Sequence, residues 1–221
     1  MEINIQQHQH FSFDLWLTLI KSNPEFKNKR NLLFKDFFEI DCSMDKLSEV
    51  VRYYDLLCNN INEKTGLNID TFEIYYLILN ALNVKIDDIG TEKLTQFYDE
   101  TQLLFMNFRP DLIDPKIQLL FQQIVAQGKT INILSNTAFI KGVTLRKLLE
   151  HYELRSYFSF EIFSDEVGFS KPNPAIFQLV YDEIKNFKSL EKKQVLHVGD
   201  NKIADYNGAL NFGFDAFLLK I

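Results

Sequence analysis

Five short apolar runs, at 10–14, 130–135, 160–164, 194–199 and 215–219, constrain the fold of this chain most, because the sequence between consecutive runs reads as helix. Strands joined through helices return to the same end of a sheet and run parallel, whereas a tight hairpin would make them antiparallel. The spacing therefore predicts an α/β protein built on a five-stranded parallel sheet. The crossovers carry the right periodicity. After Pro115, residues Ile117, Leu120, Phe121, Ile124 and Val125 fall on one helical face that stops at Gly128. A second helix opens at Asn173 with Pro174 in its first turn and presents Ile176, Phe177, Leu179, Val180 and Ile184 to a core.

The interval between the first two runs is too long for one crossover. Residues 21–106 hold at least three helical patterns and no convincing strand, so they read as an inserted helical unit. Leu47, Val50, Val51, Tyr54, Leu57, Cys58 and Ile61 recur at three- and four-residue spacing. Asp70 and Glu73 form a capping-box pattern for a helix over 71–82. Thr91 is placed to cap another helix, whose stripe of Leu94, Phe97, Tyr98, Thr101 and Phe105 reads as bundle core.

Ligands of open parallel sheets bind beyond the carboxyl ends of the strands. At those ends the chain places FDLWLTL (13–19) with Asp14 and Thr18, INILSN (131–136) with Ser135 and Asn136, GFSKPNPAIF (168–177) with Lys171, and VLHVGDNKIADYNGA (195–209) with Asp200 and Asp205. Each has an ordinary explanation in isolation: strand-end Asp and Ser residues cap loops, and a lysine before proline sits in solvent. Gly208 and Ala209 after the two acids call for a sharp turn and close backbone packing, and His197 reads as a satisfied core or edge histidine.

In this order the four segments resemble the haloacid dehalogenase-like (HAD) hydrolase superfamily, in the subfamily with a helical cap inserted after the first motif. The resemblance covers nearly the whole chain. It implies a Rossmann-like sheet of order 5-4-1-2-3, a core domain of residues 1–20 and 107–221, and a helical cap domain of residues 21–106 that closes over the strand ends. That order sets Asp14 beside Asp200, and two carboxylates so close repel unless a cation or proton lies between them. It further implies Mg²⁺ held by Asp14, the main-chain carbonyl of Trp16 and Asp200, with Asp205 in support directly or through water. Asp14 is then a nucleophile that forms an aspartyl phosphate. Ser135 and the amide of Asn136 bind the phosphoryl oxygens, Lys171 faces both Asp14 and the phosphoryl group, Thr18 orients the first loop, and Asn201 has a secondary role near the metal.

Two departures from the family pattern lie in the first motif. Its phosphatases carry a second aspartate two residues after the nucleophile, and this chain has Trp16, whose indole donates a hydrogen bond but does not exchange protons near neutrality. Leu17 stands where glycine is usual and constrains the turn. The expected activity is a Mg²⁺-dependent phosphatase or phosphotransferase on a small phosphorylated metabolite, slowed by the missing acid. The alternatives are a catalytically weak phosphate-binding or regulatory protein, and a metal-independent haloacid dehalogenase-type enzyme, whose fourth motif would lack Gly199 and Asp200.

Charge and composition exclude other classes. A net charge of −6 disfavours a general nucleic-acid binder. The cluster Lys27, Lys29 and Arg30 reads as a solvated loop. Cys42 and Cys58 match no zinc or redox spacing, which suits a reduced cytoplasmic setting. The opening MEINIQQHQH lacks the regions of a signal peptide, and no apolar run approaches a transmembrane span, so no membrane partner is expected. His8 and His10, two apart, are expected in an exposed polar tail rather than at a metal. A monomer or homodimer is expected.

Overall fold

The computed structural model describes residues 3–220. All five apolar runs form strands of one parallel sheet: β1 (His10–Phe13), β4 (Thr130–Ser135), β5 (Phe160–Phe163), β6 (Val195–Gly199) and β7 (Asp215–Leu218). A separate two-stranded ribbon pairs β2 (Ile20–Lys21) antiparallel with β3 (Asp111–Leu112). The large sheet has the order β5-β4-β1-β6-β7. Numbered along its own five strands, this is the order 5-4-1-2-3. Phe13 is in register with Ile133 on one side and Val198 on the other. Consequently β1, β4 and β6 end at nearly the same level.

Helices α1 (Pro24–Phe37), α2 (Met44–Thr65), α3 (Thr71–Ala81) and α4 (Thr91–Asn107) follow the first strands, and α5 (Ile117–Ala126), α6 (Gly142–His151), α7 (Ser164–Val167), α8 (Pro174–Lys185) and α9 (Gly208–Phe212) accompany the rest of the sheet. Among the described residues no helix is long and apolar enough to cross a membrane. Asn23 caps α1 ahead of Pro24, and the Asp70–Glu73 capping box closes on α3. Thr91 does not cap α4. Gly90 holds the extended capping position, without a side-chain bond, and Thr91 is the first helical residue. The stripe of α4 is buried throughout, and Phe97 packs edge-on to Phe34 and Tyr75 at centroid distances of 5.1 Å each. On α2 the apolar face gives out in the last turns. Ile61 is exposed and Asn62 is buried instead, because its side-chain oxygen takes the N–H of Ile69 and fixes the loop that follows. Val125 is likewise exposed, and α5 buries the narrower set Ile117, Phe121 and Ile124.

Alternation along β1 sends Phe11 and Phe13 into the core under α5 and α6, and His10 and Ser12 to the opposite face. Both histidines expected in an exposed tail are buried. His8 lies against Asp215 at 2.9 Å, because the segment before β1 runs along the sheet. His10 begins the central strand, where neighbours cover both faces: its Nε2–H donates to Asn132 Oδ1 at 2.9 Å and its Nδ1 accepts from Thr130 Oγ1 at 2.7 Å. Burial lowers its pKa from 6.5 to about 4, with Asn132 opposing and Lys188 adding to the fall. The unfolded chain therefore binds this proton more tightly, and the stability contributed is complete above pH 6.5 and lost as pH falls toward 4. Between pH 7 and pH 5 the loss from this group amounts to about 2 kcal/mol. Urea unfolding at the two pH values should show wild type losing about that much more than His10→Gln, the comparison cancelling the titration of other groups. Equal losses in the two proteins would contradict it.

Candidate active site

Because three central strands stop level, Asp14, Ser135 and Asp200 meet at one edge of the sheet. Asp14 follows β1 directly, and its N–H donates to Val198 O at 2.9 Å. The chain then folds into a tight loop in which the N–H groups of Leu19 and Ile20 both donate to Leu15 O. Leu17 sits in that loop at φ 57°, half-exposed, in the left-handed region that costs an L-residue roughly 1–2 kcal/mol. The departure from glycine thus lands on a strained position. Trp16 packs its ring edge-on to Phe105 of α4 at 6.2 Å, so it forms a wall between the sheet edge and the helices.

Lys171 is the centre of charge. It is buried, and its ammonium donates to Asp14 Oδ1 at 2.8 Å and Leu134 O at 2.7 Å and forms an ion pair with Asp205 Oδ1 at 2.6 Å. Three oxygens thus surround the ammonium, two of them on carboxylates. Burial opposes its charge, but Asp14 and Asp205 outweigh burial and raise its pKa. Burial raises the pKa of Asp14, against the pull of Lys171 and with a further push from Asp205. Burial also works to raise that of Asp205, yet Lys171 and His197 hold it well below the usual carboxylate range. Asp200, half-buried, is raised by burial and by Asp205. Thr18 is buried nearby, its hydroxyl short of hydrogen-bond geometry with any described group but close enough to favour the charged Asp200.

The supports behind these groups are largely unmarked in the sequence. His197 is a satisfied core histidine that holds Asp205 in place, since its Nε2–H donates to Asp205 Oδ1 at 3.2 Å while Nδ1 accepts from Ser12 Oγ at 3.0 Å. Asp205 Oδ2 accepts from Asn201 N at 3.0 Å. A Cβ on Gly199 would stand 2.2 Å from that same oxygen, so only glycine lets Asp205 fold back under the strand end. Gly208, in contrast, adopts ordinary helical backbone at φ −57°; it makes no sharp turn and serves close packing, since a Cβ there would come within 3.0 Å of Phe177 and Pro172.

Several site residues have partners other than those implied by the resemblance. Asn136 clamps the Lys171 main chain, accepting from its N–H at 2.8 Å and donating to its C=O at 3.0 Å. Ser135 is wholly buried and its hydroxyl donates to Asn136 O at 3.2 Å, off the cavity wall. Asn201 caps the turn that follows it, accepting from Ile203 N and Ala204 N, and donates to Glu63 Oε1 at 3.1 Å. Lys27 and Arg30 do not lie in a solvated loop. Three residues apart on α1, they share a face that lines the cavity, while Lys29 turns aside to lie over the ring of Phe108.

That cavity has a volume of about 510 Å³, within the range of small-molecule sites. Its floor is Asp14, Lys171, Asp200 and Asp205; Trp16 and the loop 136–140 form its sides; α1 and α2 cover it with Phe26, Arg30, Asn59 and Glu63. One oxygen each from Asp14, Asp200 and Asp205 lie within 4.8 Å of one another. This all-carboxylate oxygen set has the donor chemistry of a small hard cation such as Mg²⁺. Asp205 spends both oxygens on Lys171, His197 and Asn201, which leaves Asp14 and Asp200 with the freer donors.

The family model for haloacid dehalogenase-like hydrolases matches residues 9–213. Haloacid dehalogenase-like hydrolase domain-containing protein 3 of Homo sapiens is 36% identical over 75 residues, 34% of this chain and 28% of that protein. Pyrimidine 5'-nucleotidase YjjG of Escherichia coli strain K12 is 38% identical over 65 residues, 29% of this chain and 28% of the relative. The match thus spans little more than a quarter of the length of these relatives. Among solved structures, the magnesium-bound HAD hydrolase YfnB of Bacillus subtilis superposes with a TM-score of 0.70 at 19% identity, covering 97% of this chain and 89% of that one.

Proposed function

The chain belongs to the haloacid dehalogenase-like hydrolase family, and we propose that it is a Mg²⁺-dependent phosphatase or phosphotransferase acting on a small phosphorylated metabolite through Asp14. The observation that carries this reading is the pairing of Asp14 with a buried Lys171 on the floor of the cavity, with Asp200 close enough to share one cation.

In this reading Asp14 attacks phosphorus in line, the P–O bond to the leaving group breaks, and water later hydrolyses the aspartyl phosphate. Lys171 holds the attacking carboxylate in one orientation and offsets negative charge as it develops. Asn136 acts on the lysine by fixing its main chain, and His197 by fixing Asp205. Ser135 reaches a phosphoryl oxygen only after its hydroxyl turns from Asn136 O. Asp14, Asp200 and the carbonyl of Trp16, with Asp205 behind them, would hold Mg²⁺, which would screen the two anions from each other when bound.

Residues 21–106 serve as a cap domain over a core of residues 1–20 and 107–221, with the β2–β3 ribbon as the connection. Contacts of the helical segment with the loops beyond the strands support this. Gly66 O accepts from Ser170 N and Asn173 Nδ2, both at 3.0 Å, and Thr71 Oγ1 donates to Ala138 O at 2.6 Å. A cap docked in this way excludes water from the reacting group.

The test is a screen of phosphorylated metabolites with and without Mg²⁺, with Asp14→Asn as the blank and Asp200→Asn as the metal-site variant. Turnover should need Mg²⁺, vanish in the blank, and require more Mg²⁺ in Asp200→Asn. Turnover retained by Asp14→Asn, or indifferent to metal chelation, would overturn the proposal. Trp16 favours one second reading, a phosphate-binding protein with little turnover, for which the same screen would find ligands but no product.

A further inference from the structure

Arg30 stands out among the cations of this molecule. It is half-buried on α1 and lines the cavity, one helical turn from Phe26 and Lys27 on the same face. Its guanidinium carbon lies 4.3 Å from the ring centroid of Phe139. Arg52, Arg146 and Arg155 each pair with a carboxylate and Arg109 donates to Met106 O, whereas among the described residues no carboxylate lies within 4.0 Å of Arg30, which faces the cavity. Its side-chain hydrogen bonds go to one atom, Asn31 Oδ1, from Nε at 3.3 Å and Nη2 at 3.0 Å. Asn31 is in turn fixed to Ser48 Oγ at 3.2 Å. At least three of the five guanidinium N–H groups are therefore unspent. Asp55, the nearby acid on α2, is engaged by Arg52 at 3.1 Å and by Asn59 at 3.1 Å.

A half-buried guanidinium with no carboxylate beside it has N–H groups left for a ligand, and its planar fork matches the two oxygens of a carboxylate or phosphate. Phe139 and Asn31 hold it in place in advance, which lowers the ordering cost when an anion arrives. We infer that Arg30 selects substrates with a second anionic group: the cavity takes a phosphomonoester bearing a carboxylate or further phosphate at the end remote from the scissile phosphoryl group. Lys27, also without a carboxylate partner among the described residues, adds a positive charge on the same face of α1. This inference rests on the phosphatase reading for the identity of the reacting end, and on Arg30 alone for the other end.

The test separates the two. In a binding arm that needs no turnover, 3-phosphonopropionate and propylphosphonate are titrated calorimetrically into wild type, Arg30→Lys and Arg30→Met in Mg²⁺, with thermal melts as a folding control. In an activity arm, 4-carboxyphenyl phosphate is compared with its carboxamide, which keeps the shape without the charge. Wild type should prefer the carboxylate-bearing member of each pair about tenfold or more, the scale of a charge-assisted hydrogen bond. Arg30→Met should abolish that ratio and Arg30→Lys should keep part of it. No wild-type preference, or a preference that survives in Arg30→Met, would overturn the inference. So would binding of a nucleoside monophosphate that is tighter than 3-phosphonopropionate and independent of Arg30, since the aromatic walls would then be stacking a base. If Arg30→Met fails to fold, the wild-type ratio and its reduction in Arg30→Lys decide. Failure of every ester to turn over while the binding preference holds would sink the phosphatase reading and leave the Arg30 assignment standing.

Discussion

Aryl and acyl phosphates should turn over about 10²- to 10⁴-fold faster than alkyl phosphates, the scale of assistance lost when a general acid is missing. An alkoxide needs a proton as it leaves, whereas a phenolate or carboxylate departs without one. On the proposed reading Trp16 stands where that proton would come from, and its ring is packed toward Phe105. The acids above the floor do not stand in readily: Asp55 is held by Arg52 and Asn59, and Glu63 by Asn201. The logarithm of the chemistry-limited rate should therefore rise steeply as leaving-group pKa falls. Trp16→Asp should restore alkyl phosphates selectively, with some loss of stability from the vacated aromatic contact. Equal wild-type rates for alkyl and aryl esters, measured under conditions limited by chemistry, would show that another group donates the proton.

Lys171→Met should destabilise the protein by about 3–5 kcal/mol, the usual cost of removing one partner from a buried ion pair. The variant keeps the volume of the aliphatic stem and loses the ammonium that neutralises Asp14 and Asp205. Added Mg²⁺ should recover part of the loss, because a cation that binds only the folded state between these carboxylates stabilises it by mass action. Denaturant melts of wild type and variant, each with and without Mg²⁺, measure both effects. A variant as stable as wild type without metal would mean that the carboxylates are protonated or hydrated in a way the ion pairs do not suggest. Catalysis should fall as well, since Asp14 loses the partner that orients it.

The strands and the edge they define are legible in the sequence because they depend on local quantities: apolar run length, helical periodicity, and the residue that follows each run. Asp14 and Asp200 come together for that reason, through register alone. Partnerships between distant segments leave no such mark. Nothing in INILSN shows that Asn136 will clasp the peptide of Lys171, and nothing in the opening ten residues shows that His10 will sit on Thr130 and Asn132. Lys27 and Arg30 carried a usable signal in their three-residue spacing, but it emerges only once the segment is taken as helix and not as loop.

Lys21 and Asp111 face each other across the small ribbon, so the chain departs from the sheet and comes back at a single point. From the standpoint of chain entropy, everything between them is one loop whose ends are already tied. The cost of tying such a loop grows only with the logarithm of its length, about 0.6 kcal/mol for each doubling. Lengthening, shortening or exchanging the helices there thus places little entropic load on the strands that carry Asp14 and Asp200. What binds those helices to the sheet is local packing instead, with Phe26 and Phe105 buried in one cluster with Phe11, Phe13 and Leu15.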